Sequence, residues 1–140
     1  HRCRLGRHQP RSDGAVSGPT WFAFLAAAAL GAPARYLLDG FVQDHTDGAF
    51  PWGTFVVNVT GCLALGVLTG FGVYHGLGSA PRDAIGTGGL GAYTTFSTFT
   101  FETVRLAEEG AVDEAVRTAL GSFLVGLAAA GAGLAIAYAL

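Results

Sequence analysis

Gly86-Thr87-Gly88-Gly89-Leu90-Gly91-Ala92-Tyr93-Thr94-Thr95-Phe96-Ser97-Thr98-Phe99-Thr100-Phe101-Glu102 is the stretch on which the reading of this chain turns. It carries no charge until Glu102, yet glycines and hydroxyls crowd it. It is too apolar for a surface loop and too polar for a helix bathed in lipid. Hydroxyls and a carboxyl inside a membrane span face a bundle interior or a wet cavity. The glycines and the Thr94-Thr95 pair predict an interrupted helix. An interruption frees backbone carbonyls, which within a membrane must line a cavity or bind an ion. The plainer alternative is a kinked helix with Ser and Thr packed against its neighbours. Phe96 and Phe99 are three apart and share one helical face, with Thr95, Thr98 and Glu102 in an adjoining polar stripe. A ring edge is electropositive, so two edge-on rings could replace water around a small bare anion; otherwise they are apolar filler.

Outward from this stretch, composition selects the class. Of 140 residues 51% are hydrophobic and 13% charged, against about 25% charged in an average soluble domain, and the mean hydropathy is +0.44. The chain therefore reads as an all-α membrane protein. A membrane helix needs about 20 apolar residues, and four segments qualify: Trp21–Leu38, Pro51–Tyr74, Arg82–Leu106 and Glu114–Leu140. The short connections Asp39–Phe50, His75–Pro81 and Ala107–Asp113 hold most of the acidic residues and make successive spans alternate in direction. Gly66-x-x-x-Gly70 is a weak signal for close helix packing.

Several function classes drop out. There is no lysine, and eight arginines against ten acids give a net charge of −2. No basic patch interleaves with aromatics, so the expected partner is membrane lipid and not nucleic acid. Cys3 and Cys62 lie too far apart for a disulfide framework or a clustered metal site. His1, His8, His45 and His75 fall in tails or connections, and no nucleophile–base pair suggests an enzyme.

Residues 1–19 are Arg-rich and expected to be a disordered tail, with residues 20–140 forming the membrane domain. Arg2, Arg4, Arg7 and Arg11, the apolar run and Ala32-Pro33-Ala34 together have the outline of a secretory signal. Three further spans make the chain a membrane protein regardless. The sequence contains no Met, and its natural start is expected later, near Val16. Positive charge favours the cytoplasmic side. With the tail, four arginines and Arg82 oppose Arg35, Arg105 and Arg117. Without it the bias nearly vanishes, and a chain with no strong bias can insert both ways.

The second span carries one amide, Asn58, with Thr54 one turn before and Gly61 one turn after. Asn58 must find a partner: it either joins helices or donates its amide hydrogens to an anion. Taken together, Gly31-Ala32-x-x-Arg35-Tyr36, Phe50-Pro51-x-Gly53-Thr54-x-x-x-Asn58-x-x-Gly61, Gly88 to Gly91, Thr94-Thr95-Phe96-Ser97-Thr98-Phe99, Glu102 and Ser122 with Gly126 resemble the Fluc/CrcB fluoride channels, from about Leu30 to the end of the chain.

That resemblance implies a fluoride-selective channel in the plasma membrane, an antiparallel dual-topology homodimer of four-helix subunits whose third helix is broken. It implies export of fluoride that relieves its toxicity. It implies that Asn58, Phe96, Phe99, Thr95, Thr98, Glu102 and Ser122 line the fluoride path and that Arg35 stands in its vestibule. It also implies that the backbone carbonyls of Gly91 and Thr94 hold a structural Na+ at the dimer centre. The chain departs from the family at Ala27-Ala28 and Ala92, where glycine is common. It departs again at Thr118, where a tyrosine often stands, which bears on the polar track. The alternative is a proton-coupled exporter of the small multidrug type, also short and dual-topology; such proteins use a glutamate in the first helix, and here the first span holds no acid before Asp39, at its end.

Overall fold

The structure, a computed structural model, describes residues 18–140. Residues 1–17, with most of the expected tail and the start expected near Val16, lie outside them. All regular structure among the described residues is helical. Helix α1 is Gly18–Asp44 and α2 is Trp52–Tyr74. Ser79–Asp83, a wide-turn π segment Ala84–Leu90 and Gly91–Tyr93 run on into one another as α3. Helix α4 is Ser97–Glu108, and α5 is Val112–Ala139, with a π segment at Arg117–Gly121.

Helices α1, α2 and α5 are each long and apolar enough to cross a membrane. The chain is an all-α, multi-pass protein of the plasma membrane. The stretch 82–106, expected as one span, is divided between α3 and α4. Its glycines do not make the division: Gly86 to Gly91 stay helical. The helix stops at Thr94, whose ψ of 160° is extended.

α1 continues six residues past the expected Leu38, and the extension has a use. The N-terminus of α2 has no side-chain cap of its own, because Pro51 occupies the cap position. The first turn of any helix leaves its N–H groups unpartnered. Gln43, in the last turn of α1, accepts the Gly53 N–H at 3.4 Å. One turn earlier, the main chain and carboxylate of Asp39 press against Gly53, where a Cβ would collide; an acid beside a helix N-terminus is favourable. Ala32-Pro33-Ala34, the outline of a cleavage site, lies mid-helix in α1.

The helices meet through small residues, because within lipid close backbone approach replaces the hydrophobic drive. Gly66 and Gly70 of α2 meet α5 at the Ala130 carbonyl and the Ala137 methyl, and Gly133 of α5 fits against Leu63 and Val67. Gly31, the buried residue of α1, meets Gly89 of α3 in the same manner. This interlock predicts that Gly133→Val overpacks α2 against α5 and costs about 1–3 kcal/mol. Gly131→Val, two residues away with nothing within 4 Å of its Cβ position, is the control. Melting of the purified protein in detergent should separate the two variants; equal melting points would refute the packing.

Candidate functional site

Between Tyr93 and Ser97 the chain leaves the helix, and one side chain closes the gap. The Asn58 carboxamide forms two hydrogen bonds with the backbone of Thr95: its Nδ2 donates to the Thr95 carbonyl at 3.0 Å, and its Oδ1 accepts the Thr95 N–H at 2.9 Å. The amide thus takes the place of a neighbouring strand for one residue. An amide nitrogen has two hydrogens, so Asn58 keeps one N–H beyond this pair. The Thr95 side chain starts the next helix. Its hydroxyl accepts the Thr98 N–H at 3.2 Å and donates to the Thr98 hydroxyl at 3.0 Å. This is the hydroxyl-to-third-residue pattern of a helix N-cap. Gly61 completes the fit, since a Cβ there would strike the Thr94 methyl.

These bonds decide which carbonyls go free. In an uninterrupted helix the Gly91 carbonyl accepts from the Thr95 N–H and the Thr94 carbonyl from the Thr98 N–H. The first donor is taken by Asn58 and the second by the Thr95 hydroxyl. Gly91 and Thr94, the two residues singled out for a cation, are therefore deprived of their helical donors by the same turn of chain. Neutral carbonyl oxygens suit a hard cation. Among the described residues no cluster of His, Cys, Asp or Glu offers a different kind of metal site.

Two spaces adjoin the interruption. A groove of about 530 Å3 runs between α2, α3, α4 and α5 and is walled by Asn58, Gly91, Thr94, Phe96, Phe99 and Ser122, among apolar neighbours. Phe96 is 78% exposed, and its ring stands 6.0 Å from that of Phe99 at 43°. The two rings are tilted and do not stack face to face. A second cavity of about 150 Å3 is lined by Arg35, Tyr36, Asp39, Thr54, Thr95 and Thr98. Thr95 borders both. The residues singled out in the sequence thus fall into two groups, with the aromatic pair and Ser122 on the groove and Arg35 and Thr98 on the cavity.

Glu102 lines neither space. Its carboxyl faces the Thr54 hydroxyl without closing a hydrogen bond, and one carboxyl oxygen is buried and unpartnered. The Thr54 and Thr118 hydroxyls share that condition. Thr118, at 1% exposure, lies inside the subunit, so its departure from the family pattern alters internal packing and not the groove wall. Sequence reasoning passed over Asp39 and Tyr36 as cavity residues; the one-turn spacing of Arg35 and Asp39 was the available signal.

Comparison with known proteins places the chain. The family model described as CrcB-like protein, Camphor Resistance (CrcB), matches residues 22–134. The chain is 50% identical over 121 residues to the Fluoride-specific ion channel FluC 1 of Streptomyces avermitilis, covering 86% of this chain and 97% of that one. It is 46% identical over 127 residues to the FluC 1 of Frankia casuarinae, covering 85% and 96%. It is 49% identical over 105 residues to the FluC of Nitratidesulfovibrio vulgaris, covering 73% and 83%. The chain belongs to the CrcB family. These relatives are named as ion channels, not enzymes, and lend no support to the proton-coupled exporter.

The pairing of Asn58 with Thr95 generates a prediction. Asn58→Ala leaves the Thr95 N–H and C=O without partners, at a cost of about 1–3 kcal/mol for each group so abandoned. Amide exchange at Thr95 should accelerate about tenfold or more, a factor equivalent to about 1.4 kcal/mol. Unchanged protection at Thr95 in the variant would show that the amide does not hold the interruption.

Proposed function

We propose that this CrcB-family chain is a fluoride-selective channel that lets the ion run passively out of the cell and so limits its toxicity. The observation that carries the reading is the gathering of Asn58, Phe96, Phe99 and Ser122 on one groove beside an interrupted helix, in a chain half identical to a named fluoride channel. Fluoride is small and strongly hydrated, so selection requires close replacement of its water shell. Ring edges, an amide N–H and a hydroxyl can replace water without a full positive charge that would trap the ion. The N-terminus of α4 adds the positive end of its backbone dipole at the same place. Arg35 at the smaller cavity supplies a positive potential that draws anions inward. Thr95, just before α4, and Thr98 and Glu102 within it extend the polar stripe.

In this reading α3 and α4 together make the third of four crossings. Two copies meet antiparallel across the groove, giving a dual-topology homodimer with two pores. The Gly91 and Thr94 carbonyls of both copies would hold a Na+ between the subunits, where it supplies structural charge and no chemistry.

Fluoride efflux from liposomes holding the purified protein, with chloride as control, tests the proposal. Rapid fluoride loss with little chloride loss is expected. Phe96→Ile and Phe99→Ile should each slow it about tenfold, since the ring-edge contribution reaches about 1.5 kcal/mol. No flux from a folded dimer would overturn the channel reading, and wild-type rates in both variants would overturn the role of the rings.

A further inference from the structure

Beside the interruption a second interhelix bond lies outside the roles described so far. The Tyr93 phenol and the Thr60 hydroxyl are 2.8 Å apart. Thr60 has one proton to give, and its hydroxyl already donates to the carbonyls of its own helix, at 2.8 Å to Val56 and 3.1 Å to Val57. With that proton engaged by its own helix, the Tyr93 phenol is the donor. The result is a relay from phenol to hydroxyl to helix carbonyl, in which each bond polarises the next. It lies within the α2 span, on a part of the subunit surface left exposed.

Its position gives the relay meaning. Tyr93 is the last residue of α3, and Thr94 after it is extended. Three successive residues are thus held by one short stretch of α2. Thr60 takes the Tyr93 side chain, the bare face of Gly61 takes the Thr94 methyl, and Asn58 takes the Thr95 backbone. Asn58 fixes the chain only beyond the extended residue. The flank before it is held within α3, where the Thr94 N–H and hydroxyl both donate to the Leu90 carbonyl at 2.9 Å, and the Tyr93 phenol ties that end of α3 across to α2.

We propose that Tyr93 and Thr60 are a positioning pair, a second anchor that sets the direction of the Thr94 carbonyl and, through Thr95, the placing of Phe96 and Phe99. The consequence for transport rests on the channel reading; the anchor itself does not.

The test is a double-mutant cycle on the reconstituted full chain. Tyr93→Phe keeps the ring and removes only the hydroxyl, Thr60→Val is close to isosteric, and Thr60→Ser keeps the acceptor. Each of the first two variants should slow fluoride efflux about three- to tenfold, the range of a hydrogen bond between membrane helices. Each should also lower the fluoride-to-chloride ratio, which a mere loss of folded protein would leave unchanged. The double variant should be no slower than the slower single, and Thr60→Ser should match wild type. Wild-type rate and ratio in Tyr93→Phe, or single effects that multiply in the double variant, would overturn the anchor. Should the wild type itself carry no fluoride, the channel reading falls and the anchor is judged from the same cycle on melting in detergent. Coupled losses there uphold it, while additive losses or none overturn it.

Discussion

The site depends on one substitution of partners: the backbone of Thr95 bonds to the side chain of Asn58 and not to its own helix. A backbone N–H or C=O without a partner in hydrocarbon costs several kcal/mol, so a helix cannot simply stop within a span. Asn is the side chain suited to the task, since its amide carries a donor and an acceptor in one plane, as a peptide does. With Thr95 satisfied from outside, Thr94 can extend, and the Thr95 hydroxyl can open a new helix three residues before Thr98. The freed Gly91 and Thr94 carbonyls and the α4 N-terminus beside Phe96 both follow from that exchange.

Much of this was legible in the sequence, for identifiable reasons. Four apolar stretches with short connections leave little choice of fold class, and the three-residue spacing of Phe96 and Phe99 puts them on a common face whatever surrounds them. The glycines misled. A glycine that lets a helix break and one that lets helices touch look alike in sequence, and Gly88 and Gly89 prove to serve contact with α1 at Phe24 and Gly31. The partner of Asn58 was not legible either, since 37 residues separate it from Thr95 and no local pattern encodes the pairing. The length of α1 was misjudged because Asp39, Gln43 and Asp44 look like loop residues. The polarity of Asp39 and Gln43 serves the N-terminus of α2, a tertiary role that hydropathy does not register.

The two spaces beside the interruption differ in chemistry, and the difference bears on how a hydrated anion would be handled. The smaller cavity has charge on its wall, from Arg35 and Asp39, and threonine hydroxyls. The groove has phenylalanine rings, one amide and the hydroxyl residues Thr94, Thr95 and Ser122 within an apolar surround. Charge near an entrance attracts ions over a long range, whereas a binding surface that must also release its ion is better made of neutral dipoles. Arg35 and the phenylalanine pair thus occupy separate spaces, which on the proposed function would suit capture in one and passage through the other.

Thr95 joins the two. It borders both cavity and groove, its backbone belongs to Asn58, and its hydroxyl belongs to Thr98. A residue held by its N–H, its C=O and its side chain at once has little freedom left, so the wall between the spaces is tightly constrained. On the proposed channel function, that rigidity has a physical rationale. Distinguishing a small anion from a larger one of equal charge rests on the spacing of the groups that replace water, and a spacing discriminates only if the wall does not yield. Fixing Thr95 from α2, across the bundle, makes the spacing of Phe96 and Phe99 from Asn58 a property of helix packing and not of a loop. The same logic accounts for Gly61, where any side chain would push Thr94 away from α2 and loosen the joint on which the arrangement rests.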